Sequence, residues 1–388
     1  MILERTPGRG NVVARIAGSD PSADALLVHG HLDVVPAQAE EWTKHPFSGE
    51  VEDGVVWGRG AVDMKNMDAM ILALARSWAR TGVRPRRDVV IAFTADEEAS
   101  AEDGSDFLAD RHAALFEGCT EGISESGAFT FHDGSGREIY PIAAGERGTG
   151  WLELTARGRA GHGSKVNRSN AVTRLAAAVA RIGDHEWPVR LSPTVQAALT
   201  ELAALYGIDA DPAAEGFDVD VLLAKLGPAA SLVEATVRNS SNPTMLNAGY
   251  KVNVIPGQAT AHVDGRFLPG YEEEFLADLD RILGPRVRRE DVHADKALET
   301  TFDGALVDAM QTALSAEDPI ARAVPYMLSA GTDAKSFDDL GIRCFGFSPL
   351  KLPPELDFAG MFHGVDERVP VDGLKFGVRV LDRFLDAS

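Results

Sequence analysis

Apolar and polar positions fall into blocks whose period changes along the chain. Near the start, Asn11 to Ile16 and Ala25 to Val28 read as two strands, joined by the turn-forming stretch Gly18-Ser19-Asp20-Pro21-Ser22. The apolar triplet Val55-Val56-Trp57 and the tight turn Gly58-Arg59-Gly60-Ala61 lead to Asp63, at the mouth of a helix beginning near Met64. Met67, Met70, Ile71 and Leu74 recur at helical spacing and predict its buried stripe. Asp88 to Ala95 is a nearly continuous apolar run that stops at Asp96-Glu97-Glu98, the pattern of a strand covered on both faces in a parallel sheet between helices. The first region therefore reads as α/β.

After about Gly148 the pattern changes. Trp151 to Arg157 reads as a strand, Gly161-His162-Gly163-Ser164 as a loop, and Ala171 to Ile182 as an alanine-rich helix with Ser169 and Asn170 as capping candidates. Ala259, Ala261 and Val263 alternate with polar neighbours up to Arg266, as in a strand with one buried face. The helix that follows carries Phe275, Leu279, Ile282 and Leu283 on one side. These elements predict a small α+β layer, with a mainly helical insertion within it near 184–240. From about Phe302 the chain is expected to return to the first domain, through a helix over Gly304 to Leu314, a loop over Ala330 to Asp333, a strand over Arg343 to Phe347 and a final helix from Leu374. The expected organisation is a discontinuous α/β domain, residues 1–148 and 301–388, interrupted by a smaller unit over 149–300.

The length of 388 residues agrees with two units, since single cores stop growing at ~250–300 residues. Acidic residues outnumber basic ones by 59 to 38, and no run of Lys or Arg gathers into a stripe able to neutralise phosphates, so nucleic acid is not an expected partner. The longest apolar stretches fall far short of the ~20 residues of a membrane helix, so no membrane partner is expected. Cys119 and Cys344 are the only cysteines and lie far apart, which argues against a disulfide framework or a thiolate zinc site. With Met1 as the start, the first residues lack the apolar core of a secretory signal, and a cytoplasmic location is expected.

The candidate chemistry lies in an ordered set of hard-metal ligands, several of them ending apolar runs: His31, Asp33, Asp63, Glu97, Glu98, Glu125 and His363. Each alone is commonplace; an Asp-Glu-Glu is usually a solvated loop and Asp63 alone reads as a helix cap. Together they read as a two-metal hydrolytic site. Two ions ~3.5–4 Å apart require a bridging carboxylate, which Asp63 suits, and terminal ligands on either side. His31 with Glu125 suits one ion, and Glu98 with His363 the other. Glu97, beside Glu98 yet free to point elsewhere, suits the base that takes a proton from water. Asp33 suits a partner that orients the His31 ring.

These residues resemble the dinuclear zinc metallopeptidase family that includes aminoacylase, carboxypeptidases G and S, succinyl-diaminopimelate desuccinylase and several dipeptidases. The resemblance rests on His31-Leu32-Asp33-Val34-Val35-Pro36, Gly58 to Lys65, Asp96-Glu97-Glu98, Ser124-Glu125-Ser126-Gly127 and Gly145-Glu146-Arg147-Gly148. It continues through Gly161 to Ser164, Asn253-Val254-Ile255-Pro256, Asp264-Gly265-Arg266, Gly331-Thr332-Asp333 and His363-Gly364, in the family's order across nearly the whole chain. It implies a zinc-exopeptidase-like catalytic domain with an inserted ferredoxin-like lid or dimerisation domain, and two Zn2+ ions, with Co2+ or Mn2+ also compatible. By the same resemblance, Glu97 is the general base and later the acid. His162 reaches a neighbouring subunit's site to stabilise the oxyanion, which makes a homodimer the expected assembly. Arg266 and Asn253 engage a substrate carboxylate and the oxyanion region, and the loop at Gly331 and Thr332 shapes the pocket. The chain has only thirty residues before His31, where relatives carry more chain and an additional helix.

The implied activity is metal-dependent hydrolysis of a peptide or N-acyl amide bond next to a free carboxylate, with a small peptide or N-acyl amino acid as substrate. Two alternatives remain open at this level. One is a co-catalytic aminopeptidase that recognises a free amine; the other is a non-catalytic metal-binding protein of the same fold.

Overall fold

The computed structural model describes residues 1–388. The chain opens with strands β1 (Ile2–Glu4), β2 (Gly10–Ile16) and β3 (Ala25–His31), then the short β4 (Val51–Glu52) and β5 (Val55–Trp57) before helix α1 (Lys65–Thr81). It continues through β6 (Val89–Thr94), α2 (Ser105–His112), β7 (Cys119–Ser124), β8 (Phe131–His132) and β9 (Glu138–Glu146). The middle of the chain forms β10 (Gly148–Arg157), β11 (Gly161–His162), helices α3 (Ala171–Gly183), α4 (Pro193–Tyr206) and α5 (Val219–Leu226), and β12 (Ser240–Ala248). It ends with β13 (Val254–Ile255), β14 (Gln258–Phe267), α6 (Glu272–Leu283) and β15 (Val287–Asp295). The last part adds β16 (Leu298–Glu299), α7 (Ala305–Glu317), β17 (Arg322–Leu328), α8 (Ala334–Asp338), β18 (Arg343–Gly346), β19 (Arg368–Pro370) and α9 (Val371–Ala387).

Two sheets dominate. The larger has ten strands, with a main path β1-β2-β6-β3-β7-β18-β9-β16, and its centre is parallel: β3 lies between β6 and β7, and β18 runs parallel to β7. Strand β3 shows why the apolar run is unbroken. Leu26 and Val28 point into a core shared with α1, α7 and α9, while Ala25 and Leu27 point to the other face, covered by α2 and α8. Both faces are removed from water, so no polar alternation survives. The methionines of α1, Met67 and Met70, lie in that core, as their spacing predicts.

The smaller sheet is antiparallel, in the order β12-β14-β10-β15, with α3 and α6 packed on one face around Leu152, Leu154, Leu175, Phe275 and Leu279. Its chain order is β10-α3-β12-β14-α6-β15, a βαββαβ arrangement. Asn170 caps α3 by accepting a hydrogen bond from the Val172 N–H at 2.9 Å.

The structure corrects several sequence expectations. Beyond Trp187, which packs on Phe275 of the small sheet's core, the helical stretch near 184–240 does not build onto the small sheet. Helices α4 and α5 cover the far end of the large one, where Val195, Leu199 and Leu202 pack on Ile139, Val324 and Met327 of β9 and β17. Those strands end in apolar side chains that need a cover, and α4 supplies it. Strands β12, β15 and β17 are additions to the sequence reading. Most of β12 and much of β15 is solvent-exposed, so polar and charged side chains hide their period, and Pro243 and Pro325 interrupt β12 and β17. Gly161 and His162, expected in a loop, pair as a short strand with Ile255 and Val254. The last helix starts at Val371, before Leu374.

Candidate metal centre

Parallel strands end on the same side of a sheet, so the residues that terminate β3, β6 and β7 meet in one crevice. His31 is the last residue of β3 and pairs in register with Thr94 near the end of β6, two residues before Asp96-Glu97-Glu98. Glu125 immediately follows β7. Asp63 enters from the loop before α1, and His363 from the loop before β19.

The distances order these groups around Asp63. One carboxylate oxygen of Asp63 lies 3.1 Å from His31 Nε2, and the other lies 3.2 Å from His363 Nε2. Beyond His31, Glu125 Oε1 is 3.7 Å and Glu97 Oε2 3.9 Å from the same ring nitrogen. Beyond Asp63, Glu98 Oε2 is 3.0 Å from His363 Nε2. His31, Glu97 and Glu125 offer donor atoms within 4.8 Å of one another, and so do His31, Asp63 and Glu98. Backbone outliers concentrate here: Asp96 (φ 70°), Ser126 (φ 68°) and His363 (φ 57°) occupy the left-handed region that L side chains rarely adopt, next to or at a candidate ligand.

Four carboxylates and two imidazoles thus share one largely buried cleft. Burial raises the pKa of Glu97, Glu98 and Glu125, and neighbouring carboxylates push in the same direction. Burial disfavours the imidazolium of His31, yet Glu125, Asp63 and Glu97 outweigh it and hold the ring well above the usual histidine value. Asp63 moves the other way: burial would raise it, but hydrogen bonds from His31 and His363 hold it below the ordinary carboxylate range. The buried Glu98 Oε1 has no hydrogen-bond partner. An acid-rich donor set of hard oxygens and imidazole nitrogens with an orphaned carboxylate oxygen fits a pair of divalent cations.

Asp33 meets the His31 ring through its backbone and uses its carboxylate elsewhere. The His31 ring meets the Asp33 backbone carbonyl, Nδ1 to O at 3.1 Å, while the Asp33 carboxylate is 3.7 Å from Nδ1. That carboxylate instead accepts hydrogen bonds from the backbone N–H groups of Glu97 and Glu98, at 3.2 and 3.1 Å. It ties the loop after β6 to the loop after β3.

The remaining predicted residues divide. Gly331 lines two neighbouring clefts that both reach Glu97, Glu98 and His363. Thr332 lines the more polar one, where its N–H and hydroxyl donate to Glu146, at 2.9 and 2.5 Å. Arg266 also faces that cleft, with its guanidinium held by both oxygens of Asp264, at 2.7 and 3.2 Å, and by Thr149. His162 and Asn253 lie together in an exposed part of the middle segment and line neither cleft of their own chain.

Several residues around the centre escaped the sequence reading. The less polar cleft, roughly 380 Å³, is walled by Phe129, Tyr326, Leu328 and Phe362. Isolated aromatics of this kind leave no pattern in a sequence. Buried Asp333 accepts from Thr94 and Ser105, at 2.5 and 2.6 Å, and burial raises its pKa to about 6. Its signal was present, since it completes Gly331-Thr332-Asp333. Glu367, fully buried and paired with Arg59 at 2.9 Å, stands only four residues beyond His363.

The description of peptidase family M20/M25/M40 matches residues 27–387. Among curated relatives, the human (Homo sapiens) N-fatty-acyl-amino acid synthase/hydrolase PM20D1 is 30% identical over 387 aligned residues, covering 94% of this chain and 74% of that protein. Aminoacylase-1 of the pig (Sus scrofa) is 26% identical, covering 99% of this chain and 85% of its own length. Among solved structures, a metallo-carboxypeptidase of Sulfolobus solfataricus shares the fold, with a TM-score of 0.73 at 19% identity over 99% of this chain and 89% of that one. The chain belongs to peptidase family M20/M25/M40 and is an amide-bond hydrolase.

Proposed function

We propose that the protein hydrolyses the amide bond of an N-acyl amino acid or small peptide that carries a free carboxylate, using two divalent ions, zinc in the first instance. The observation that carries this reading is the position of Asp63, with one oxygen toward His31 and the other toward His363. In this reading Asp63 bridges the ions, His31 and Glu125 hold one, and Glu98 and His363 hold the other. The ions, when bound, supply Lewis acidity toward the scissile carbonyl and the attacking water.

The chain's own groups do the rest. Glu97 lies among the ligands without being needed in either terminal set, and it takes the proton of the attacking water and returns it to the leaving nitrogen. Asp33 fixes the backbone of Glu97 and Glu98, and the Asp33 carbonyl holds the His31 ring. The apolar wall of Phe129, Tyr326, Leu328 and Phe362 takes an apolar acyl or side-chain group. Arg266, across the polar cleft, shares its fork between Asp264 and the substrate carboxylate. The names of the human and pig relatives favour N-acyl amino acids over free-amine peptides as the first substrates to try.

The small sheet acts as a lid and dimerisation unit in this reading. Met245 and Leu246 on its edge strand β12, and Tyr250 and Val252 just beyond, are exposed, an apolar strip suited to a second copy. A homodimer brings His162 and Asn253 toward the partner subunit's cleft, where the imidazole stabilises the oxyanion. The test is a panel of N-acyl amino acids and dipeptides given to chelated and metal-reloaded protein. Release only after reloading supports the reading, and cleavage confined to free-amine substrates with a blocked C-terminus replaces it with an aminopeptidase.

A further inference from the structure

The two halves of the proposed centre are mounted differently. His31 and Glu125 sit at the ends of adjacent parallel strands, β3 and β7, and inherit their spacing from the sheet. Asp63 and His363 sit on two loops that are separate in sequence and belong to no common sheet at those positions. The strands beside them, β5 and β19, pair antiparallel up to Trp57 and Arg368, and past that ladder what joins the loops is Glu367. Its side chain is fully buried, and its two oxygens accept from the backbone N–H groups of Gly60 at 2.8 Å, Val62 at 2.7 Å and Asp63 at 3.0 Å. They also accept from Arg59 Nη1 at 2.9 Å, and the backbone carbonyl of Glu367 accepts from the Gly58 N–H at 2.9 Å. Arg59 returns across the same gap, donating from Nη2 to the carbonyl of Gly364 at 2.9 Å, with its guanidinium over the Trp42 ring at 5.1 Å.

One carboxylate therefore gathers three backbone N–H donors and the Arg59 side chain of the loop that carries Asp63, and its own backbone leads directly back to His363. An ionised carboxylate that meets only N–H donors forms strong, short, charge-assisted bonds. A carboxamide in its place turns one acceptor into an N–H donor facing other N–H groups. Packing around the turn leaves little slack: a Cβ on Gly364 would meet the Gly360 carbonyl at 2.7 Å, and one on Gly60, at φ 85°, would meet Val34 at 2.7 Å.

We propose that Glu367, with Arg59, is the strut that sets the spacing of Asp63 and His363, and so selectively fixes the affinity of the Glu98–His363 half of the centre for its divalent ion. Glu367 is a positioning residue that touches no ion and no substrate. The inference rests on the two-ion reading above. Its consequence is an asymmetry of degree: loosening the strut disturbs both Asp63 and His363 at one ion but only the shared Asp63 at the other, whose terminal ligands the sheet holds, so the first is weakened far more than the second.

The experiment is a Co2+ titration of the metal-stripped protein, followed by visible absorption and by equilibrium dialysis with metal analysis, for wild type, Glu367→Gln and Arg59→Lys. Wild type is expected to bind two equivalents; failure to do so overturns the two-ion reading itself. Glu367→Gln is expected to keep one equivalent within a few-fold of wild type and to weaken the other by roughly 10–100-fold, the usual effect of losing a partner that orients ligands. Arg59→Lys keeps the carboxylate and its backbone bonds and gives the same asymmetry to a smaller extent, which preserves the test if the glutamine variant fails to fold. Two equivalents bound as in wild type, or both weakened alike together with a lower melting temperature of the metal-free protein, overturn the strut.

Discussion

The large and small sheets carry their candidate chemistry in different ways. In the large sheet, strand ends do the placing: β3, β6 and β7 are parallel, their carboxyl ends coincide, and His31, Glu97, Glu98 and Glu125 converge with no long-range arrangement beyond strand register. In the small sheet, Arg266 lines the polar cleft together with Thr149 and Trp151 of β10 and His293 and Asp295 of β15, while His162 and Asn253 lie exposed outside it. A site built from parallel strand ends is complete within one chain. The antiparallel layer mounted beside it reaches the cleft with some of its residues, and under the proposed function His162 and Asn253 need a second copy to do so.

The sharpest test of the first half of that comparison is Glu97→Ala. Turnover is expected to fall by roughly 10²–10⁴-fold, the usual worth of a general base, with two equivalents of metal still bound by dialysis. Undiminished turnover would remove Glu97 from its role. For the small sheet, His162→Ala is expected to lower kcat by about 10²–10³-fold, as for loss of one oxyanion donor, and to leave metal content unchanged. If the imidazole acts across a dimer, mixing His162→Ala with Glu97→Ala protein and allowing exchange restores part of the activity. No recovery in mixed dimers places His162 outside the partner subunit's site.

How much of this was legible in the sequence follows from the same contrast. Of the parallel strands, β3, β6 and β18 announced themselves as apolar runs and α1 by its methionine stripe, because burial on both faces or on one helical face leaves a signal, whereas β7 and β17, with polar residues or proline among their positions, did not. The exposed strands β12 and β15 left none, since nothing there selects apolar side chains. The stretch that holds α4 read as mainly helical, yet its partner was not legible: a buried stripe does not name the surface it covers, and here that surface was β9 and β17. The candidate ligands were readable as a set because metal chemistry restricts residue types. Glu367 was not, because a carboxylate that accepts from backbone N–H groups meets its partners about three hundred positions away and leaves no local signature. Asp33 shows the intermediate case: the sequence pointed to His31 as its neighbour but not to the backbone carbonyl as the contacting atom, nor to the N–H groups of Glu97 and Glu98.

Smaller effects refine the comparison. Arg266→Ala is expected to raise KM by roughly 10–100-fold for carboxylate-bearing substrates with little change in metal affinity, the range for a hydrogen bond to a charged group. An unchanged KM would leave Arg266 as a partner of Asp264 and Thr149 alone. The smallest expected effect on folding is at the exposed strip of β12. Leu246→Glu should change monomer stability by no more than about 0.5 kcal/mol, yet shift the sedimentation of the protein from dimer toward monomer. A dimer that survives this change sits on another surface.

The measurement that bears most directly on the central claim is hydrolysis of N-acyl amino acids and dipeptides by the metal-stripped protein as Zn2+ is added back in known amounts. The account predicts no cleavage without metal and amide hydrolysis that rises to a plateau at two equivalents per chain. Hydrolysis that persists in the metal-free protein, or two equivalents bound with no amide in the panel cleaved, would contradict it.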